Sequence, residues 1–497
     1  MATIKDLIEK ARENLGRDRS RLREDSRYYE ADLTLDRSGH PLRRDLPNMS
    51  ASVGWSRLYL DSLVERIAIV GFRVPGESNQ DDRLQSWWKA NDLDQEAQVS
   101  FLETFIHGRS YISISAPTDE DILFGHPADA PIIRVESPKH MWVEVDQRTR
   151  RVLWAVRFYN DPQSMGMNQD EEPQSYTVYL DDRTIYAVDA RGGRYRVVDE
   201  DVHDLGIVPI VPSFNRERVS DRYGRSEIIP ELRNLQDIAT QVVQNMQMAA
   251  DLMAVPQRLL FGVEKEAIAN NQDSMAQYNA YMAGILAFED PEAKAMQFSA
   301  AELSNYTGAL QELAKQVASY TGLPPQYLSF SSQTPASAEA IRSAESRLVK
   351  KAELKGTMFG NVWERVMRIA SLVMNGSIDD TLRNIEAILT DPSTPTYAAK
   401  ADAAVKLTGG KPIIPVQQAR RDMRYTPAEL EEMEMWDRLE KVEWAGALLG
   451  TDPTPKFPMQ TTNATKAVDP DAQAQAAADA ARQRNEAQNN NDRTAGS

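Results

Sequence analysis

The stretch from Ser337 to Met374 constrains the fold more than any other part of the chain. It reads as one helix of nearly forty residues, ~55–60 Å long at 1.5 Å per residue. Pro335 follows Thr334, and Ser337 and Glu339 stand close behind, so either Thr334 or Ser337 can cap it. Apolar residues recur at helical spacing through Ile341, Ala344, Leu348, Ala352, Phe359, Val362, Val366, Ile369 and Val373. Gly356 and Gly360 sit one turn apart in its middle. An interior glycine weakens a helix by ~1 kcal/mol, so the pair predicts a kink. The second half carries Trp363, Met367 and Leu372 and reads as core. The first half has small apolar residues among charges and faces something wetter.

A chain of 497 residues allows two to four domains and an ample core. Its formal charge of -17 argues against a free-standing protein that wraps nucleic acid in a basic groove. It leaves room for a surface past which nucleic acid slides without sticking. There are no cysteines, which excludes disulfides, thiolate catalysis and cysteine metal sites. The five histidines lack ligand spacing, so no metal is expected. No apolar run approaches the ~18–20 residues of a membrane span, and the N-terminus MATIKDLIEK has no apolar signal core. The expectation is a soluble protein with no membrane partner.

Residues 1–30 read as an amphipathic helix with Ile4, Leu7, Ala11 and Leu15 on one side. It either packs on the body, the reading favoured, or embraces a neighbouring subunit. More helix is expected at Leu58–Ile69 and Leu84–Phe105. From Ser110 the period changes to two. Strands are expected from Tyr111 to Ile114, then at Ile132–Glu136, Met141–Val145, Val152–Tyr159, Tyr176–Leu180, Thr184–Val188 and Tyr195–Val198, making an antiparallel sheet region. The run GIVPIVPSFN (206–215) ends it. A second long helix is expected from Gly224 and Ser226 to about Met253, with a three-four apolar seam through Leu232, Leu235, Ala239, Val242, Met246, Ala249 and Met253. Ser299 and Glu302 form a capping box for a helix that Gly322 and Pro324 end. Two seam helices with an insert between them predict an antiparallel pair with the insert at its tip. Helices are expected at Thr381–Leu389, Tyr397–Leu407, Pro415–Met423 and Pro427–Leu449, and a disordered tail at 453–497.

Sequence motifs for chemistry are scarce. GxxxxGK[ST], GxSxG, HExxH and GxGxxG are all absent. The runs Asp119–Glu120–Asp121 and Glu171–Glu172 read as solvated loop carboxylates rather than metal ligands. No cofactor and no catalytic residue is expected. One feature asks for a partner. Arg347, Lys351 and Lys355 lie at i, i+4 and i+8, with Lys350 beside them. Like charges at that spacing repel by a few tenths of a kcal/mol per pair. Carboxylates of an adjacent subunit, or a nucleic-acid backbone, would offset this. Subunit ion pairs are the favoured reading on so acidic a chain.

Blocks along the chain carry a resemblance. They are HGRSYISIS (107–115), ESPKHMWVEVDQRTRRVLWAVRFY (136–159), LGIVPIVPSFNR (205–216), GRSEIIPELRNLQDIATQ (224–241), YTGLPPQYLSF (320–330), SAEAIRSAESRLVKKAELK (337–355) and YTPAELEEM (425–433). In this order they resemble the portal proteins of tailed bacteriophages, of the group found in long-tailed phages of actinobacteria. The resemblance runs to about residue 450.

It implies an α+β portal fold, mainly helical with an antiparallel β wing. After an N-terminal arm helix (1–25), the wing would span 26–225. Stem helices would follow at 226–255 and 299–322, with the clip (256–298) between them. A tunnel loop (323–336), the kinked helix (337–378), a helical crown (379–452) and the disordered tail (453–497) would complete it. The family implies a homo-oligomeric ring, usually of twelve, at the capsid vertex of the virion, assembled in the host cytoplasm. Double-stranded DNA would pass through its channel in packaging and ejection. Partners would be a terminase large subunit, a head–tail adaptor, and the major capsid and scaffolding proteins. Ser331, Ser332, Gln333 and Thr334 would face DNA, since hydroxyls and amides bond phosphate without reading sequence. Glu264, Lys265 and Glu266 would face the terminase or adaptor from the clip. The role would be structural, not enzymatic. The rival readings are a metal-dependent nuclease or other packaging enzyme, and a scaffold or head–tail adaptor.

Overall fold

A computed structural model describes residues 3–32, 52–74, 81–160, 174–190, 194–254, 258–261, 285–288, 303–328, 338–393, 397–409, 412–423, 425 and 427–449. The chain divides into two compact units, Met1–Thr394 and Pro395–Ser497. Each mixes or stacks elements that local sequence largely specifies. The class is α+β.

The first unit opens with helix α1 (Ile4–Glu30). Thr3 caps it in a reciprocal box: the Thr3 amide donates to Asp6 at 2.8 Å, and the Asp6 amide donates to the Thr3 hydroxyl at 3.3 Å. Its apolar face, Leu7, Ile8 and Ala11, packs against Trp142, Trp154, Val156, Phe158 and Tyr176. Those residues belong to a five-stranded antiparallel meander of β4 (Met141–Val145), β5 (Val152–Tyr159), β6 (Ser175–Tyr179), β7 (Arg183–Asp189) and β8 (Tyr195–Val202), in that spatial order. Helix α1 therefore covers its own sheet. The apolar stripe that could have embraced a neighbour is spent inside the subunit.

A second sheet has three strands, ordered β3 (Ile132–Glu136), β2 (Arg109–Ser115), β9 (Ile210–Phe214). Both pairings are antiparallel, with Ile112 opposite Val135 on one side and Val211 on the other. The expected "end" of the sheet region is thus a strand in its own right. Two prolines, Pro209 and Pro212, disguise it, and Pro212 is tolerated because β9 is an edge strand.

The main core lies under this sheet. Helices α2 (Trp55–Val64), α3 (Asp82–Ala90) and α4 (Leu93–His107) pack with the long helix there. The single helix expected at Leu84–Phe105 is two, broken at Asn91 and Asp92, where Asp92 adopts a left-handed backbone. The buried Asn91 side chain holds the break by donating to the carbonyls of Trp87 at 2.9 Å and Pro131 at 2.8 Å. A five-residue helix, α5 (Asp119–Leu123), sits between β2 and β3.

Helix α6 (Pro230–Ala254) begins four residues later than Ser226, with proline at its first position. Ile229, directly before Pro230, is biased away from helical backbone. Helix α7 (Leu303–Thr321) packs on α6. The buried members are Leu232, Leu235 and Ala239 from the start of α6, and Ala314, Val317 and Ala318 from the end of α7. That pairing of start with end is antiparallel. Between them, β10 (Arg258–Phe261) and β11 (Ile285–Phe288) pair in parallel. The remaining insert residues, Ser299 and Glu302 among them, lie outside the described residues.

A short turn of helix, α8 (Pro325–Leu328), precedes the long helix α9 (Ala338–Asn375). Helix α9 runs unbroken through Gly356 and Gly360. Its buried residues begin at Leu348 and include Phe359, Trp363, Val366 and Met367, so the second half is core as expected. Phe359 stacks on Phe101 at 4.1 Å, and Trp363 meets Trp88 edge-on at 5.1 Å. The two glycines lie under a crossing strand. A Cβ built on Gly356 or Gly360 would sit 3.5–3.9 Å from Leu389, Ala387 and Ile67.

That strand is a departure from expectation. Residues 381–389 do not form a helix. A 3-10 turn (Asp380–Asn384) leads into β12 (Glu386–Leu389), which pairs antiparallel with β1 (Ile69–Arg73). The alternation Ile385, Ala387, Leu389 is strand-like, but its partner lies some three hundred residues upstream.

The second unit contains α10 (Tyr397–Thr408), α11 (Val416–Asp422) and α12 (Pro427–Leu449). Arg420 joins α11 to α12 through a two-pronged bond to Asp437, at 2.6 and 2.8 Å.

Candidate functional site

Four of the sequence blocks named above converge on one buried junction in the first unit. Gly108 follows α4 and Gly224 precedes α6; both have left-handed backbones, φ 80° and 79°. The two chains touch there. A Cβ on Gly224 would lie 1.8 Å from the Gly108 carbonyl oxygen, so no side chain fits. The amide of Asn215 donates to that same carbonyl at 2.9 Å, and the Arg225 amide donates to the Asn215 carbonyl at 2.8 Å. The glycine contact thereby brings Asn215 and Glu227 beside the long helix.

Glu227 is the centre. Its carboxylate is 1% exposed. It accepts the Lys351 ammonium at 2.7 Å and that of Lys355. The Tyr59 hydroxyl donates to it at 3.0 Å, and so does the Asn215 amide. Lys355 also donates to the Asn215 side-chain oxygen at 2.6 Å and lies 3.5 Å from Glu217. Burial pushes the Glu227 carboxyl up, but the two lysines beside it outweigh burial and hold it at about 2. Burial, with Glu227 alongside, pushes the Tyr59 phenol well above its ordinary value. The arrangement binds α2, the β9–α6 link and α9 together through one satisfied carboxylate.

For Lys351 and Lys355 of the basic stripe, the structure supplies a counter-charge within the same chain, the buried Glu227 carboxylate. Arg347 lies across the turn after α7, donating to the Ser319 carbonyl at 2.6 Å. Lys350 points outward, paired with Glu353 at 2.8 Å. The structure brings the first three against their own subunit. Sequence reading missed Glu227, Asn215 and Tyr59. No local signal marks Glu227 as buried, since the helix expected to open at Gly224 and Ser226 puts an acid in its first turn.

Ahead of α9, Tyr327 is fixed on both sides. Its hydroxyl donates to Glu345 at 2.8 Å and accepts from Arg66 at 3.0 Å, while Arg66 pairs with Glu345 at 3.2 Å. This anchors the start of the polar loop. The loop's Ser331, Ser332, Gln333 and Thr334, and Glu264, Lys265 and Glu266 of the insert, lie outside the described residues.

The model of the family described as "Phage portal protein, SPP1 Gp6-like" matches residues 8–438. The chain belongs to that portal protein family. Curated relatives include the portal protein of Mycobacterium phage D29, 47% identical over 440 residues, covering 87% of this chain and 89% of that protein. The portal protein of Mycobacterium phage L5 is 46% identical over 462 residues, covering 91% and 92%. Solved structures that align include "Neck of native GTA particle computed with C12 symmetry", at 15% identity and TM-score 0.36, covering 75% of this chain and 92% of that one. "Neck of empty GTA particle computed with C6 symmetry" aligns at 16% and 0.37, covering 75% and 89%. In this portal-family chain the junction lies well inside the matched region, and all of its residues fall between 59 and 355.

Proposed function

We propose that the chain is one subunit of a closed ring, of about twelve copies, around a channel at a capsid vertex. Duplex DNA enters through it during packaging and leaves through it on infection. The observation that carries this is the portal-family match from residue 8 to 438 together with two portal relatives near half identity. The helix pair α6 and α7 is read as the stem, the insert 256–298 as the clip, the loop 323–336 as the tunnel loop, and 379–452 as the crown. The pairing of β12 with β1 supports drawing 379–394 back toward the wing.

A terminase large subunit and a head–tail adaptor meet the clip, with Glu264, Lys265 and Glu266 among the contacts. Ser331, Ser332, Gln333 and Thr334 face the DNA. The major capsid and scaffolding proteins surround the ring in the virion. Charge favours such a channel. Multiplying a subunit charge of -17 around a ring gives a wall that repels phosphate, so DNA moves without adhering.

The role is structural rather than catalytic. Electron micrographs of the purified protein should show rings with a central hole and one rotational symmetry. A persistent monomer at high concentration, with scaffolding protein present, would overturn the reading. Metal-dependent cleavage of duplex DNA by the same preparation, in magnesium or manganese, would restore the enzyme alternative.

A further inference from the structure

The five-stranded sheet has two edges of opposite character. Strand β8 forms one edge, and among the described residues no strand pairs with its outer side. Seven of its eight residues are exposed. They include Asp199, Glu200 and Asp201, and also Val198 at 59% and Val202 at 56% exposure. Carboxylates alone are a common guard for an open edge. Val198 and Val202 stand exposed beside them.

The opposite edge is β4. Beside it, between α1 and the segment 220–225, lies a cavity of about 680 Å³. Six basic side chains line it, Lys10, Arg17, Arg21, Arg109, Arg222 and Arg225, against three acids, Asp18, Glu144 and Asp221. The excess of three positive charges stands out on a chain of -17. Most of these cations already have a carboxylate partner in the same chain: Arg109 pairs with Asp18, Arg222 with Glu144 at 3.3 Å, Arg17 with Glu13, and Arg21 with Asp25 at 3.7 Å. Arg225 makes no side-chain bond among the described residues. Arg109 is 1% exposed, lies over Trp142 at 5.2 Å and Tyr223 at 5.8 Å, and has a buried Nε without a hydrogen-bond partner. The pocket leaves Lys10 and Arg225 without a carboxylate partner among the described residues.

We propose that the acidic edge strand β8 of one subunit docks in the basic pocket beside β4 of the next. This rests on the ring reading above. A ring needs a heterologous interface, two different patches on each copy that fit each other. Opposite edges of one sheet, four strand spacings or about 19 Å apart, supply such a pair. The valines gain cover from the neighbour, and Asp199 and Asp201 meet Arg225 and Lys10.

The test is a charge exchange read by native mass and electron microscopy. An edge variant, Asp199→Lys/Asp201→Lys, and a pocket variant, Lys10→Glu/Arg225→Glu, should each form rings only at about tenfold higher protein concentration than the parent. Mixed one to one they should regain rings, because every alternating contact is again complementary. The neutral variant Asp199→Asn/Asp201→Asn should show a smaller shift of the same sign. It also covers the case in which a reversed charge disturbs folding, which thermal melts of each variant monitor. Rings at parental concentration from both reversed variants would overturn the docking while leaving the ring reading intact. A parent that forms no rings would remove both. Normal rings from the pocket variant, with loss of retention of a short duplex DNA, would give the pocket to phosphate and overturn the proposal.

Discussion

Glu227 shows how one side chain can hold distant segments together. Its carboxylate is surrounded by two ammonium groups, a phenol and an amide, all inside the protein. Removing the charge alone takes the buried carboxylate from both lysines, leaving Lys351 beside the Tyr59 hydroxyl and Lys355 beside Asn215 and Glu217. Glu227→Gln is expected to cost about 3–5 kcal/mol, measured by urea unfolding at neutral pH. The pH dependence carries its own sign. The folded carboxyl is held at about 2, below the 4.5 of an unperturbed glutamate. A depressed pKa contributes stability that is full above about pH 4.5 and drains away as pH falls toward 2. The gap between parent and variant should therefore narrow across that window. A constant gap from pH 7 to 3 would show that the lysines do not govern this carboxylate.

Among the elements, α9 is the most informative. Its glycine pair reads locally as a weakness and, in the structure, lies where β12 crosses. The added methyl groups meet neighbours at ordinary contact distance. Gly356→Ala and Gly360→Ala should each stabilise the protein by about 0.5–1 kcal/mol, since alanine loses less entropy in a helix and no clash opposes it. Urea midpoints with unchanged slopes would check this. A loss of stability in both would mean that the helix needs a bend there. The seam helices α6 and α7 tell the complementary story. Their three-four spacing was enough to pair them, because a helix with one apolar face has few places to bury it.

In the molecule as a whole, the division at Thr394 has a physical cause. Strand β12 returns to β1, and the core beneath them closes without the second unit. A chain shortened to residues 1–394 should therefore keep a single cooperative unfolding transition, followed by circular dichroism in urea. A broad, shallow transition would show that the first unit leans on the second. The sheet's two edges belong to the same scale: the chain's net charge says nothing about them, and only their placement on opposite sides of one meander suggests how copies could meet.

The sequence alone determined what depends on neighbours in the chain. Periods of 3.6 and 2, and the glycine and proline after α7, located most helices and the strands β2 through β8. The ordered blocks named the family. Tertiary structure decided what depends on distant partners. Residues 386–389 became a strand because β1 offered an edge, Lys351 and Lys355 turned inward because Glu227 waited there, and α1 covered its own sheet. Local free-energy differences of about 1 kcal/mol are smaller than the burial and pairing energies that a remote partner brings. Where the two compete, the remote contact wins, and no window of sequence contains it.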